Sequence, residues 1–184
     1  MIIHFVGHSG SGKSSLMRAL IKVANFQKPV WYTTRAPRGD SDDEYLFGSV
    51  EWFIEQSKQI NLEEVGLVYG NLYATHYPDT DSINYVNVAN VDGVSQAKGK
   101  YLDDSISIFV ECPEEERLRR MLARGDSKEK SQERIEKDRE LFKNAFHVSD
   151  YKITSSSPED DVKELLDILK DIELSKGADI LVRK

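Results

Sequence analysis

Residues 7–14 read Gly7-His8-Ser9-Gly10-Ser11-Gly12-Lys13-Ser14, a G-x-x-x-x-G-K-[ST] segment set between an apolar run and a stretch of helical periodicity. No other segment constrains the fold as tightly. Met1-Ile2-Ile3-His4-Phe5-Val6 reads as a buried first strand, and Ser15 to Lys22 returns apolar residues at helical spacing. A strand that enters a glycine-rich loop and then a helix turns successive backbone N–H groups toward one point. The helix N-terminus adds its dipole there. A turn that only caps a helix would need neither Lys13 nor Ser14 at these positions. The Lys13 ammonium suits the β and γ oxygens of a polyphosphate, and the Ser14 hydroxyl suits Mg²⁺. Gly7, His8, Ser9, Gly10, Ser11, Gly12, Lys13, Ser14 and Ser15 are therefore the expected nucleoside triphosphate-binding residues.

The rest of the chain alternates strand-like and helical segments. Pro29 to Thr34 reads as a second strand, and Tyr45-Leu46-Phe47 as a short one. Ser49 to Gln56 reads as a helix with Ser49 as its cap. Two short β pieces surround Gly66 and Gly70. Ile83–Val88 and Ser105–Val110 are strand-like, with a short helix over Gly93–Lys100 between them. Charged helices follow over Pro113–Ala123 and Lys128–Phe142, broken near Asp126-Ser127-Lys128. Tyr151-Lys152-Ile153 gives a last core strand, and Asp160–Leu174 an amphipathic closing helix. Strands alternating with helices behind a phosphate loop predict an α/β fold, a parallel sheet flanked by helices. Residues Ala178 to Lys184 would add a strand or pack on the surface.

A length of 184 residues suits one domain, and a net charge of −7 speaks against nonspecific nucleic-acid binding. The apolar stretches fall short of a bilayer span, and the N-terminus does not read as a charged-then-apolar leader. A soluble cytoplasmic protein without membrane or nucleic-acid partners is the expectation. Cys112 is alone, and His4, His8, His76 and His147 are scattered, so neither a disulfide nor a histidine metal site is expected.

The second informative cluster is Thr33-Thr34-Arg35-Ala36-Pro37-Arg38-Gly39-Asp40, followed by Tyr45. Two arginines three apart suit a dianionic phosphate, which their planar forks bind through paired hydrogen bonds. They equally suit solvated pairing with Asp40, Asp42 and Asp43. Thr-Thr-Arg-x-Pro-Arg-Gly-[Glu/Asp] behind a phosphate loop resembles the guanylate kinase family. The resemblance continues through Glu64 to Tyr73 with Gly70-Asn71-Leu72-Tyr73, through Arg124-Gly125 and Arg134, and through Asp150-Tyr151-Lys152-Ile153.

The resemblance implies an ATP-dependent nucleoside monophosphate kinase that uses Mg²⁺, acting as a monomer or homodimer. Its core would be residues 1–32, 83–120 and 145–184, with a small acceptor-binding β module at about 33–82 and a helical lid at about 121–144. By position it implies that Arg35, Arg38, Tyr45 and Tyr73 hold the acceptor phosphate, and that Glu64 and Asn90 face the base. Arg124 and Arg134 would close over the ATP phosphates and share the catalytic work with Lys13 and Arg35. Ser14 and Asp92 would serve the metal.

Three departures fall in the base pocket. Trp31 stands where the family has a small serine, so that its indole would fill space or stack on the base. Val88-Ala89-Asn90 replaces the family's Asp-x-Asp. The loop from Arg38 to Tyr45 is about two residues shorter than usual, and Ala74 replaces a glycine. GMP or dGMP is the expected acceptor. A sugar-phosphate kinase resembling the ribose bisphosphate phosphokinases is the alternative, and a non-catalytic guanylate kinase-like scaffold is a third reading.

Overall fold

The structure is a computed structural model that describes residues 1–37, 44–155 and 157–176. In chain order the elements are β1 (Ile2–Val6), α1 (Lys13–Val23), β2 (Phe26–Gln27), β3 (Val30–Thr33), β4 (Tyr45–Phe47) and α2 (Val50–Gln59). They continue with β5 (Glu63–Val68), β6 (Asn71–His76), β7 (Asn84–Val88), α3 (Val91–Tyr101), a 3₁₀ turn (Leu102–Asp104), β8 (Ser105–Glu111) and α4 (Glu114–Ala123). The last are α5 (Lys128–Leu141), α6 (Ala145–Val148), β9 (Tyr151–Thr154) and α7 (Pro158–Lys176).

Every residue of β1 is buried, which a strand requires only when both faces of its sheet are covered. β1 accordingly lies at the centre of a five-stranded sheet, order β2-β7-β1-β8-β9, with all pairings parallel. Alternation along β1 sends its side chains to two layers. Ile3 and Phe5 join Leu16 and Leu20 of α1 and Leu165, Leu169 and Ile172 of α7 in the main core. Val6 turns the other way, toward Val94 of α3 and Ala145 of α6. The phosphate loop therefore leaves the C-terminal end of the central strand, where open α/β sheets place their ligands.

A second sheet, order β4-β3-β6-β5, stands beside the first. β3 and β4 run parallel, whereas β3–β6 and β5–β6 are antiparallel. Ser49 caps α2 as expected, its hydroxyl accepting from the Trp52 N–H at 3.2 Å. The β5–β6 register shifts between Glu63 and Gly66, and Glu64 sits at φ +50° in that irregularity. This backbone region is uncommon for a residue with a Cβ, and the distortion re-aims the Glu64 side chain.

Two features differ from the sequence expectation. The strand at 30–33 pairs with β4 and β6, so a core ending at residue 32 would cut the second sheet; the edge strand of the core on that side is the two-residue β2. A short α6 also appears where no element is predicted. Residues 178–184 lie outside the described residues. Among the described residues no helix is long and apolar enough to cross a membrane.

Candidate active site

The phosphate loop has no room for side chains at two of its glycines. A Cβ on Gly7 would lie 2.6 Å from the Val110 carbonyl oxygen, and one on Gly10, at φ +78°, would lie 2.8 Å from that of Arg117. The chain can curl tightly here only because both positions are glycine. Lys13, the first residue of α1, folds back over the loop, and its Nζ donates to the His8 carbonyl at 2.7 Å. Burial pulls the ammonium pKa down to about 8; nearby Asp138 opposes this, while Arg134, Arg117 and Arg124 add to it. The His8 imidazole is lowered by burial first and by Arg117 second, and it packs against Phe142. His8 therefore serves the loop through its backbone. Ser9, Ser14 and Ser15 line the adjacent cavity.

Cationic side chains from α4 and α5 reach the same cavity. Arg124 and Arg134 both line it, and Arg124 is held by Asp126 at 2.9 Å through Nε. Arg120 also lines it. Its Nε pairs with Glu116 at 2.7 Å, while Nη1 donates to Ser155 Oγ at 3.0 Å and to the Ser11 carbonyl at 3.3 Å. Sequence spacing assigns Arg120 only to i,i+4 pairing within its helix; that pair exists, and the other end of the guanidinium braces the phosphate loop. Asp138 was missed outright. It is 1% exposed and accepts from the Ser9 N–H at 2.5 Å and from the Tyr69 hydroxyl at 2.6 Å. One carboxylate thus ties α5 to the phosphate loop and to the turn between β5 and β6. The available signal was its place one helical turn after Arg134, on the same face.

The cavity, about 830 Å³, runs from the phosphate loop to Trp31, Tyr45, Glu64, Tyr73, Val88 and Asn90. The Tyr45 and Tyr73 rings meet edge-on at 6.0 Å. Arg35 is not part of the lining. Its guanidinium lies 5.2 Å from the Tyr45 ring centre and 5.1 Å from that of Phe47, so it backs the aromatic wall through cation–π contact. Arg38 lies outside the described residues. Asn90 lines the cavity while its Oδ1 caps α3, accepting from the Gly93 N–H at 2.8 Å. Asp92 is exposed on the first turn of α3 and does not line the cavity. Among the described residues no cluster of three metal-ligating side chains forms.

At the end of the cavity away from the phosphate loop lies Glu64. Its Oε1 accepts from the Tyr77 hydroxyl and its Oε2 from Asn87 Nδ2 at 2.6 Å. Asn87 is 1% exposed, and its Oδ1 accepts from the Trp31 indole N–H at 2.7 Å. Trp31 is therefore a buried hydrogen-bond donor rather than a free platform for the base. Burial raises the Glu64 pKa to about 8; the Tyr77 bond opposes the shift and neighbouring Glu63 adds to it. His4, 3.6 Å from Glu64 through Nδ1, is drawn down to about 3, chiefly by burial, and is neutral.

A family model described as guanylate kinase matches residues 1–172. The chain belongs to the guanylate kinase family. The guanylate kinase of Chlamydia caviae is 31% identical over 178 residues, covering 91% of this chain and 84% of that protein. That of Wolinella succinogenes is 36% identical over 138 residues, covering 70% of this chain and 64% of that protein. The crystal structure of guanylate kinase from Anaplasma phagocytophilum superimposes with a TM-score of 0.73 at 21% identity, covering 94% of this chain and 85% of that one. At that identity the superposition speaks for the fold: a parallel sheet behind a phosphate loop, as in other guanylate kinases.

Proposed function

We propose that this guanylate kinase family member transfers the γ-phosphoryl group of ATP to GMP or dGMP. The observation that carries the reading is one continuous cavity with the phosphate loop at one end and the Glu64 carboxyl group at the other. Lys13 and the loop N–H groups hold the donor phosphates, and Arg120, Arg124 and Arg134 surround them with positive charge. Tyr45 and Tyr73, backed by Arg35, together with Arg38, take the acceptor phosphate. Glu64 and Asn90 face the base. An acceptor phosphate oxygen attacks the γ-phosphorus, the bond to the β–γ bridging oxygen breaks, and ADP leaves with that electron pair. The attacking oxygen is already ionised, so no side chain needs to remove a proton.

The donor set suits a Mg²⁺ that arrives with the nucleotide. The Ser14 hydroxyl lies at the loop end of the cavity, and phosphate oxygens and water would complete the shell. Such an ion supplies neutralisation of charge on the β and γ oxygens. Residues 121–144 act as the lid, because a chamber open to solvent would pass the phosphoryl group to water. The test is an ATP-dependent transfer assay across GMP, dGMP, IMP, AMP, CMP, UMP, dTMP and ribose 1,5-bisphosphate. Preference for GMP or dGMP is expected. Turnover of the sugar bisphosphate alone would replace the reading, and failure of ATP to stabilise the protein would point to a non-catalytic scaffold.

A further inference from the structure

Four residues at the wall of the acceptor cleft, Trp31, Asn87, Tyr77 and Glu64, form a chain of hydrogen bonds with one consistent direction when Glu64 is ionised. An indole N–H donates and cannot accept, so the Trp31 contact at 2.7 Å fixes Asn87 with its oxygen toward Trp31. The amide nitrogen must then face inward, where it lies 2.6 Å from Glu64 Oε2 and 2.9 Å from the Tyr77 hydroxyl oxygen. Because that hydroxyl accepts from Asn87, its own proton goes to Glu64 Oε1. In the ionised form that a base with two N–H donors requires, Glu64 Oε1 accepts from Tyr77 and Oε2 from Asn87, with the Thr75 hydroxyl as a further partner, and the carboxylate keeps acceptor capacity toward the cavity it lines. His4 lies alongside as a neutral ring without a hydrogen-bond partner and sends Glu64 no charge.

We infer that Trp31 and Asn87 are positioning residues that set the hydrogen-bond polarity of Glu64, so that the cleft selects a base with two adjacent N–H donors over a base with one. The inference rests on the nucleoside monophosphate reading and deepens it. Without the indole N–H the Asn87 amide is free to turn over. Its carbonyl would then oppose Glu64 Oε2, and the carboxyl group would have to keep a proton on Oε2 and donate it to that carbonyl. Oε1 alone then accepts from the cavity. A base with an N–H beside an exocyclic amine loses one of its two contacts in that state, whereas a base with an N–H alone keeps its single one.

GMP and IMP differ in this respect, since only GMP has the exocyclic amine. The experiment measures kcat/KM for both in the unaltered protein, in Trp31→Phe and in Asn87→Leu, along with the KM for ATP and thermal protection by ATP. The expected result is at least a tenfold fall in the GMP-to-IMP ratio in each variant, carried by the KM for GMP, with the KM for ATP and ATP protection unchanged. If Trp31→Phe does not fold, Tyr77→Phe removes the other inward donor and carries the same expectation. Variants that bind ATP normally and keep the GMP-to-IMP ratio overturn the inference while leaving the proposed activity standing. Absence of GMP turnover in the unaltered protein overturns the activity itself.

Discussion

Asp138→Asn probes the tie between α5, the phosphate loop and the β5–β6 turn. The carboxylate is 1% exposed and receives two donors, the Ser9 N–H and the Tyr69 hydroxyl. Asparagine keeps the shape and one acceptor oxygen but turns an NH₂ group toward the second donor. A hydrogen bond to a charged group contributes about 1.5–3 kcal/mol, so losing one should cost about 2 kcal/mol. For a chain of this size that amounts to a Tm lower by about 4–8 °C. Tyr69→Phe removes the phenol partner alone. In the double variant the two losses should overlap by about 1 kcal/mol, because each removes the same contact. Thermal and urea unfolding of the ligand-free proteins at neutral pH measure all three. A Tm change under about 1 °C in Asp138→Asn, or strict additivity with Tyr69→Phe, would refute the reasoning. The substitution has a second consequence. Asp138 holds up the pKa of Lys13, which lies at about 8, so its loss should move the fading of ATP protection with rising pH to a lower pH.

Lys13→Ala should lower kcat by at least about 100-fold with the fold intact, since the ammonium meets charge that develops during transfer. Near-native turnover with an unchanged Tm would remove the donor-site assignment. Stability should also depend on pH through Glu64 and His4. Glu64 is raised from 4.5 to about 8, so the folded protein keeps a proton that the unfolded chain releases. Its contribution is full below 4.5 and is lost as pH rises to about 8, by up to about 1.4 kcal/mol per pH unit. His4, lowered from 6.5 to about 3, contributes in the opposite sense, full above 6.5 and lost as pH falls toward 3. The two slopes oppose each other between 4.5 and 6.5, leaving a fall due to Glu64 between 6.5 and 8. Glu64→Gln should abolish that fall in urea titrations; a decline that persists in the variant would show that another group produces it.

What could be read from the sequence was local. The phosphate loop, the Ser49 cap and the alternation of strands with helices depend on neighbours within a turn or two, and all three stand in the structure as read. Pairing is not local. Periodicity cannot say that β3 joins β4 and β6 rather than β1, and the two residues of β2 are too few to carry a period. The site divides the same way. Arg120 was visible only as a helix-surface arginine, because its partners Ser11 and Ser155 lie 109 and 35 residues away. Trp31 reads as bulk in the pocket, because nothing at residue 31 announces the amide 56 residues on that accepts its hydrogen bond. Glu64 is legible through the family resemblance alone, because nothing in the neighbouring residues announces the irregular backbone at φ +50° that turns it inward.

In β3 and β6, Val30 stands opposite His76, so the chain leaves the parallel sheet and returns to it at nearly one point. A segment with adjoining ends is one that exchange between homologous genes can replace whole. Here the exchange carries a condition. Trp31 belongs to the replaceable segment and Asn87 to the scaffold, and their hydrogen bond crosses the seam. A chimera that takes residues 30–76 from a relative with serine at position 31 leaves the Asn87 oxygen buried without its donor. Positions 31 and 87 therefore form one inherited unit, and across descendants of this chain they should change together.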